Sequence, residues 1–402
     1  MNILFLTIGG FESIEAHSIY TDLLRCFRDN GHEVYTITPY EKRTGKKTEL
    51  IHEKGSHILC IETGDVTGSN NLISKGFAQL SVESIYIRAI KKYFSTVKFD
   101  LVMYSTPPIT FGKAIEFVKK RDGAKSYLLL KDIFPQNAVD LGMITKSDIK
   151  GLIYKYFRSK EKKLYSLSDR IGCMSPANVQ YVLEHNPEID KNIVEVCPNC
   201  VDVVDKSVDE KTRINIREKY CIPLDKKVFV YGGNLGRPQG ILFIIECLRK
   251  CQDIKNAYFL IVGDGTEYEK LKNFVNVEKP SNVKLMKRLP KEDYDTMVGA
   301  CDVGLIFLDY RFTIPNFPSR LLSYMQAKIP VLCATDKNTD IGSIALKNGF
   351  GWWCESNDSI LFCKYVSIIL SLNTKSFGEN GYIFLTNHYT VKNSYQVIMQ
   401  KI

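Results

Sequence analysis

The residues best suited to holding an anion stand in one run, Val228-Phe229-Val230-Tyr231-Gly232-Gly233-Asn234-Leu235-Gly236-Arg237-Pro238-Gln239-Gly240. An apolar stretch that reads as a strand enters a glycine-rich turn. It leaves as a helix striped with Ile241, Ile244, Ile245 and Leu248. Glycines let backbone N–H groups come close to an anion, and a helix N-terminus adds a favourable dipole. Arg237 supplies a fixed charge suited to phosphate oxygens. The spacing is neither a P-loop nor the dinucleotide fingerprint, so phosphate binding stands beside the plainer reading of a tight turn. A second run, Ile314-Pro315-Asn316-Phe317-Pro318-Ser319-Arg320 through Pro330-Val331, places Pro318 where a helix begins. Arg320 then falls in the first turn, where a cation opposes the helix dipole unless a bound anion compensates it. The alternative is an ordinary surface arginine.

Acid and base candidates lie earlier. Asp132 follows the apolar run Ser126–Leu130 and can take a proton from a substrate hydroxyl, or else cap the turn that follows. Lys131 beside it is taken as a second catalytic candidate. Gly9 and Gly10 end the first apolar run and can admit a ligand close to the backbone. Glu12 and His17 follow, with His17 either facing a ligand or serving the scaffold. Asp293-Tyr294-Asp295 imitates a metal-binding DxD. It lies early in a helix opened by Pro290, where acids favour the dipole, and no metal is expected. Cys197-Pro198-Asn199-Cys200 lacks a second pair at zinc spacing, so neither a metal nor a redox role is expected there.

These residues need a scaffold, and 402 residues exceed one ordinary core, so two domains are expected. With 45% apolar and 25% charged residues the chain reads as packed and globular, not disordered. Twelve cysteines without secretory context read as reduced thiols of a cytoplasmic protein. No run approaches the roughly 20 apolar residues of a membrane span. The net charge of +9 favours an anionic partner. No nucleic-acid-binding motif accompanies it, and nucleic acid is not expected as a partner.

Short apolar runs alternate with amphipathic stretches, the pattern of strands and crossover helices in a parallel sheet. Strands are expected at Ile3–Thr7, Glu33–Thr38, Ile58–Ile61, Leu101–Tyr104, Tyr127–Leu130, Arg170–Met174 and Val194–Val196. Helices are expected near 15–29, 80–95, 109–121, 149–167 and 176–185. The polar stretch 204–222 reads as a linker between a domain over 1–203 and a second over 223–376. There the alternation restarts, with strands at Lys227–Tyr231, Ala257–Val262, Val283–Met286, Val303–Phe307 and Pro330–Ala334. A last helical segment, 377–402, is expected to pack back across the junction.

The order of these motifs carries a resemblance. Gly232-Gly233-Asn234-Leu235-Gly236-Arg237, then Ile261-Val262-Gly263-Asp264-Gly265, then Pro318-Ser319-Arg320 resembles the nucleotide-binding half of retaining family-four glycosyltransferases. Lys131-Asp132-Ile133-Phe134-Pro135-Gln136-Asn137 and Cys197-Pro198-Asn199 are similar to segments of the branch that builds capsule and O-antigen units, the N-acetyl-fucosamine transferases of the WbuB type. The resemblance covers nearly the whole chain. It implies an α/β GT-B fold, two Rossmann-like domains facing across a cleft. It also implies an enzyme that needs no cofactor and uses a UDP-sugar as co-substrate, with retention and without a protein nucleophile. The donor set taken with it is Gly9, Gly10, Gly233, Asn234, Arg237, Gln239, Arg288, Ser319, Arg320, Leu321 and Ser323, with Arg237 and Arg320 read as substitutes for the charge the family carries at Asn234 and Gln239. Glu12 and His17 are taken for the acceptor, a saccharide on a polyprenyl diphosphate. Pro315 and Ser323 stand where most of the family carries two glutamates, and Asn234 and Gln239 where it carries arginine and lysine. A non-hydrolysing nucleotide-sugar epimerase and a non-catalytic nucleotide-sugar-binding subunit are the alternatives.

One further cluster concerns location. Lys146, Lys150, Lys155, Arg158, Lys160, Lys162 and Lys163 surround Leu152, Ile153, Tyr154, Tyr156 and Phe157. A basic, aromatic helix can lie on anionic lipid, so peripheral association with the cytoplasmic membrane face is expected, against the alternative of a solvated helix.

Overall fold

The computed structural model describes residues 1–65 and 72–402, and their side chains except at 72–80 and 148–150. It divides into two compact units, Met1–Asp202 with Val391–Ile402, and Val203–Thr390. The chain therefore passes between units twice. In the first unit the two passages are held together where Val391 N–H donates to the Val201 carbonyl (3.2 Å).

The first unit is built on β1 (Asn2–Leu6), β2 (Glu33–Glu41), β3 (Glu49–Glu53), β4 (Ser56–Thr63), β5 (Leu101–Ser105), β6 (Lys125–Leu130), β7 (Arg170–Cys173) and β8 (Val194–Val196). The order among the described residues is β3-β4-β2-β1-β5-β6-β7-β8. All neighbours run parallel except the β3–β4 hairpin. Strands such as β5 are buried along their whole length because crossover helices cover both faces, which is why they read as unbroken apolar runs. The order reverses at β1, so the loops after β1 and β5 diverge, the position at which open α/β sheets bind ligands. The first helix begins at Thr21, not near 15. Ser18 Oγ accepts the Thr21 N–H (3.1 Å) and Asp22 Oδ1 accepts the Ser18 N–H (3.1 Å), a reciprocal pair that starts a helix there.

The second unit carries β9 (Lys227–Asn234), β10 (Ala257–Asp264), β11 (Val283–Met286), β12 (Val303–Phe307), β13 (Val331–Thr335) and β14 (Gly351–Glu355). Its parallel order is β11-β10-β9-β12-β13-β14. The stretch read as a linker holds a helix, Glu210–Lys219, within this unit. Asp209 caps it by accepting the Thr212 N–H (2.7 Å). Its Arg217 is buried, donating to the Ala300, Pro223 and Lys226 carbonyls and pairing with Asp302 (2.6 Å). The polar composition hides this role, since a buried arginine looks like a surface one in sequence.

The order reverses between β9 and β12, which stay paired only through Val303–Phe229 and Gly304–Val230. Beyond that point the strands splay, and the Tyr324 hydroxyl fills the gap. It accepts the Gly232 N–H (3.3 Å) and lies 3.2 Å from both the Val230 and Leu305 carbonyls, to one of which it can donate. Gly304 makes room for the ring: a Cβ there would stand 2.3 Å from it. Tyr324→Phe would leave buried backbone groups unpaired, at a cost of about 1 to 3 kcal/mol. Urea unfolding should show that loss, and an unchanged midpoint would mean the hydroxyl is not holding the splayed strands.

Candidate functional site

In the second unit two of the predicted anion-binding residues, Gly233 and Arg320, meet at the β9/β12 reversal. Arg320 opens the helix Arg320–Gln326, one turn before Tyr324, so both side chains lie on one helix face. The Arg320 guanidinium sits over the Tyr231 ring, 4.2 Å from its centroid. Gly233, with φ of 128°, leaves open a place 3.5 Å from Arg320 Nη2 that any Cβ would occupy. Arg320 Nη1 is buried and has no hydrogen-bond partner. Buried donors are nearly always paired, so this one marks a place for an acceptor. Gly232 is constrained differently: a Cβ there would lie 1.7 Å from Tyr294 Oη.

Asn234 and Gln239 serve the loop itself. Gln239 is buried, and its Oε1 accepts from Gly236 N–H (3.1 Å) and Asn234 Nδ2 (3.3 Å). Tyr231, kept protonated by burial, donates to the Asn234 carbonyl (2.7 Å). The loop is further tied to the one after β12, since Asp309 N–H donates to the Pro238 carbonyl (2.9 Å). Arg237 is exposed, with Nε 3.8 Å from Glu267. Ser319 is exposed and Ser323 half-buried. The Leu321 side chain is fully buried and its N–H donates to Pro318, so it serves the core and offers a ligand neither group. Arg288 is exposed just past the edge strand β11, not at the reversal. The tyrosines 231, 294 and 324 were not singled out in sequence; the small residues they need opposite them, Gly232 and Gly304, were the available signal.

Asp295 pairs with Lys206 (2.7 Å) and Lys291 (2.8 Å), and Asp293 with Lys219 (3.2 Å). Lysines therefore already neutralise the DxD-like carboxylates.

In the first unit, Asp132 lies just past β6. Thr106 Oγ1, just past β5, accepts the Lys131 (3.1 Å) and Asp132 (3.4 Å) N–H groups. Asp132 is half-buried, with its carboxyl toward Tyr20, and burial lifts it to about 6. The Tyr20 phenol, raised by burial, faces Ser105 and Asp132. Lys131 is held below its ordinary pKa by burial and lies toward the Cys197 and Cys200 thiols.

Gly9 and Gly10 form the turn after β1, with Thr38 Oγ1 donating to the Gly9 carbonyl (3.0 Å). Glu12 is exposed and paired with Lys46. His17 Nδ1 lies 3.1 Å from Asp22 and 3.0 Å from Arg25 Nη2. His17, Asp22 and Asp202 bring their ligand atoms within 4.8 Å of one another, a spacing that suits a cation. That cation is Arg25, which reaches Asp22 at 2.5 Å and Asp202 at 2.7 Å. His17 thus joins a scaffold cluster at the passage out of the unit.

Residues 212–383 match the family model described as "Glycosyl transferases group 1". The chain is similar to "Probable glycosyltransferase WbjE" of Pseudomonas aeruginosa, 26% identical over 328 residues, covering 81% of this chain and 79% of that one. It is also similar to WcaI of Escherichia coli K12, named for colanic acid biosynthesis, at 23% identity over 313 residues, 74% and 70% of the two chains. Among solved structures it superposes on the sucrose-phosphate synthase of Thermosynechococcus elongatus with a TM-score of 0.76 at 14% identity, over 100% and 98% of the chains. HepE of Anabaena, solved with UDP, gives 0.68 at 14% identity over 100% and 99%. These matches do not favour an epimerase or a non-catalytic subunit. The two parallel-sheet units are those of the GT-B fold, residues 212–383 match the group 1 model, and the chain is a glycosyltransferase.

Proposed function

We propose that this glycosyltransferase moves a sugar, with retention, from a UDP-sugar to a saccharide carried on a polyprenyl diphosphate at the cytoplasmic membrane face, in capsule or O-antigen synthesis. An N-acetylated deoxysugar of the N-acetyl-L-fucosamine kind is the sugar implied by the resemblance to the WbuB type. The observation that carries the reading is the buried, unpartnered Arg320 Nη1 beside Gly233, at the reversal of a parallel sheet. A diphosphate oxygen would complete it, and the same contact would stabilise the leaving UDP as its charge develops. No divalent metal is required in this reading, because guanidinium and backbone N–H groups supply the positive field. Relatives named for colanic acid and teichuronic acid biosynthesis support a polysaccharide product.

Arg320→Ala should weaken UDP binding about tenfold or more, the worth of a charged hydrogen bond. Arg237→Ala should cost less, its side chain being exposed and shared with Glu267. Titration calorimetry reads both, and wild-type affinity in the Arg320 variant would sink the diphosphate assignment.

Asp132 is assigned to orient the acceptor hydroxyl as a base. Its folded pKa of about 6 lies above the ordinary 3.8, so the folded state holds this proton more tightly than the unfolded chain. The cost of its buried charge therefore grows as pH rises from about 4 to about 6 and persists above. Asp132→Asn should lower turnover about a hundredfold. It should also raise the melting temperature at pH 7.5, with the gain fading as pH falls through 6. A variant that melts lower than wild type at pH 7.5 would show that the carboxylate stabilises the fold.

The membrane face needs revision from its sequence-based form. Arg158 bonds to Glu161 and Asn186, Lys162 pairs with Glu188 (2.9 Å), and Lys160 and Lys163 lie 3.7 and 3.8 Å from Glu83 and Glu116. The Lys150 side chain lies outside the described residues. Leu152 (65% exposed), Ile153, Tyr156 and Met143 are instead exposed, as are Lys146 and Lys155 in the same stretch. No helix among the described residues is long and apolar enough to cross a membrane. Docking is assigned to this apolar face with its cationic rim. Changing Leu152, Ile153 and Tyr156 to serine should abolish pelleting with anionic liposomes, while Lys162→Gln with Lys163→Gln should leave it intact. Undiminished pelleting of the triple variant would remove this face from the proposal.

A further inference from the structure

Apart from Cys197 and Cys200, two further cysteines of the second unit bring their thiols together. Cys251 caps the end of the helix Ile241–Lys250, and Cys363 stands in the helix Ser359–Leu370 packed against it. Their Sγ atoms are 2.7 Å apart, within an ångström of the roughly 2.05 Å of a disulfide. Cys251 is buried and Cys363 half-buried, so one thiol is reachable and the other waits beneath it. We propose that Cys363 and Cys251 form a redox-sensitive pair, an accessible nucleophilic thiol and its resolving thiol, that closes to a disulfide under oxidation by a low-molecular-weight disulfide.

The surroundings suit these roles. The hydrogen bond with Cys251 holds the Cys363 thiol below its ordinary pKa, with Lys250 adding in the same direction. Thiolate character, access and an adjacent resolving thiol are what make a cysteine oxidisable at one site and inert at another. The Cys363 thiolate attacks one sulfur of oxidised glutathione and releases one glutathione thiolate, leaving a mixed disulfide. Cys251 then loses its proton and attacks the Cys363 sulfur, releasing the second glutathione. Two thiols are oxidised and one glutathione disulfide is reduced to two thiols. The product would tie the helix that follows the Gly232–Gly240 loop to the helix carrying Cys363, closing a loop of 112 residues.

The test uses the full chain, folded, incubated with oxidised glutathione, alkylated and digested for mass spectrometry. A cross-linked peptide joining Cys251 to Cys363, reversed by dithiothreitol, is expected, with a melting temperature about 5 °C or more above the reduced form. Cys251→Ser should trap glutathione on Cys363, whereas Cys363→Ser should leave Cys251 free. Complete alkylation of both thiols after oxidation of the folded wild type, or a linkage formed only in urea, would overturn the pair. Glutathione trapped on Cys251 and not on Cys363 would overturn the assignment of roles.

Discussion

The second unit depends on how a parallel sheet is stopped from zipping shut. β9 and β12 share two residue pairs and then part, exposing backbone groups that a continued ladder would have satisfied. The Tyr324 hydroxyl meets that need from the side, between Gly232 N–H and the Val230 and Leu305 carbonyls. Other placements follow from it. The tyrosine ring excludes any side chain at Gly304, and Tyr294 excludes one at Gly232. Because Arg320 precedes Tyr324 by one helical turn, fixing the tyrosine also fixes where the guanidinium can reach. It lands over Tyr231, beside the open place that Gly233 leaves.

Much of the scaffold was legible in the sequence because parallel strands buried on both faces are unbroken apolar runs. β5 and β12 show this plainly. β3 escaped because it is an edge strand, Glu49-Leu50-Ile51-His52-Glu53, polar at both ends and paired on one side only. β14 escaped because Gly351-Trp352-Trp353-Cys354-Glu355 carries no alternation and no aliphatic run. The glycine loop and Arg320 were legible as types in a spacing, since an anion needs N–H groups and fixed charge. The three tyrosines were not, because whether a phenol is a core filler or a plug between strands depends on what faces it. The same holds for Asn234 and Gln239: their polarity was visible, but their mutual hydrogen bond was not.

The first unit illustrates a second ambiguity, between charge that works for a ligand and charge that works for the scaffold. His17, Asp22, Arg25 and Asp202 look in isolation like a site. They form instead an internally balanced cluster, in which Asp22 also accepts the Asp202 N–H (3.0 Å). That cluster fixes the last residue of the unit before the chain leaves it, near the point where Val391 returns beside Val201. In sequence Asp22 and Asp202 lie 180 residues apart, so no local pattern announces their meeting.

Compensated and uncompensated burial stand in contrast among the buried charged groups. Arg217 is the most deeply placed arginine, yet three carbonyls and the Asp302 carboxylate satisfy it. Removing either partner would strand the other, which is the signature of a structural pair. Arg320 and Asp132 differ in kind. The first leaves a buried donor atom without an acceptor, and the second is lifted to about 6 with burial as its cause and no opposing hydrogen bond or charge. A fold that balances Arg217, Arg25 and Gln239 so fully has the means to balance these two as well. Leaving them unmet costs stability in the free protein. The two imbalances fall at the carboxyl ends of parallel strands, the donor atom in one unit and the carboxylate in the other, the end of an open α/β sheet at which ligands bind.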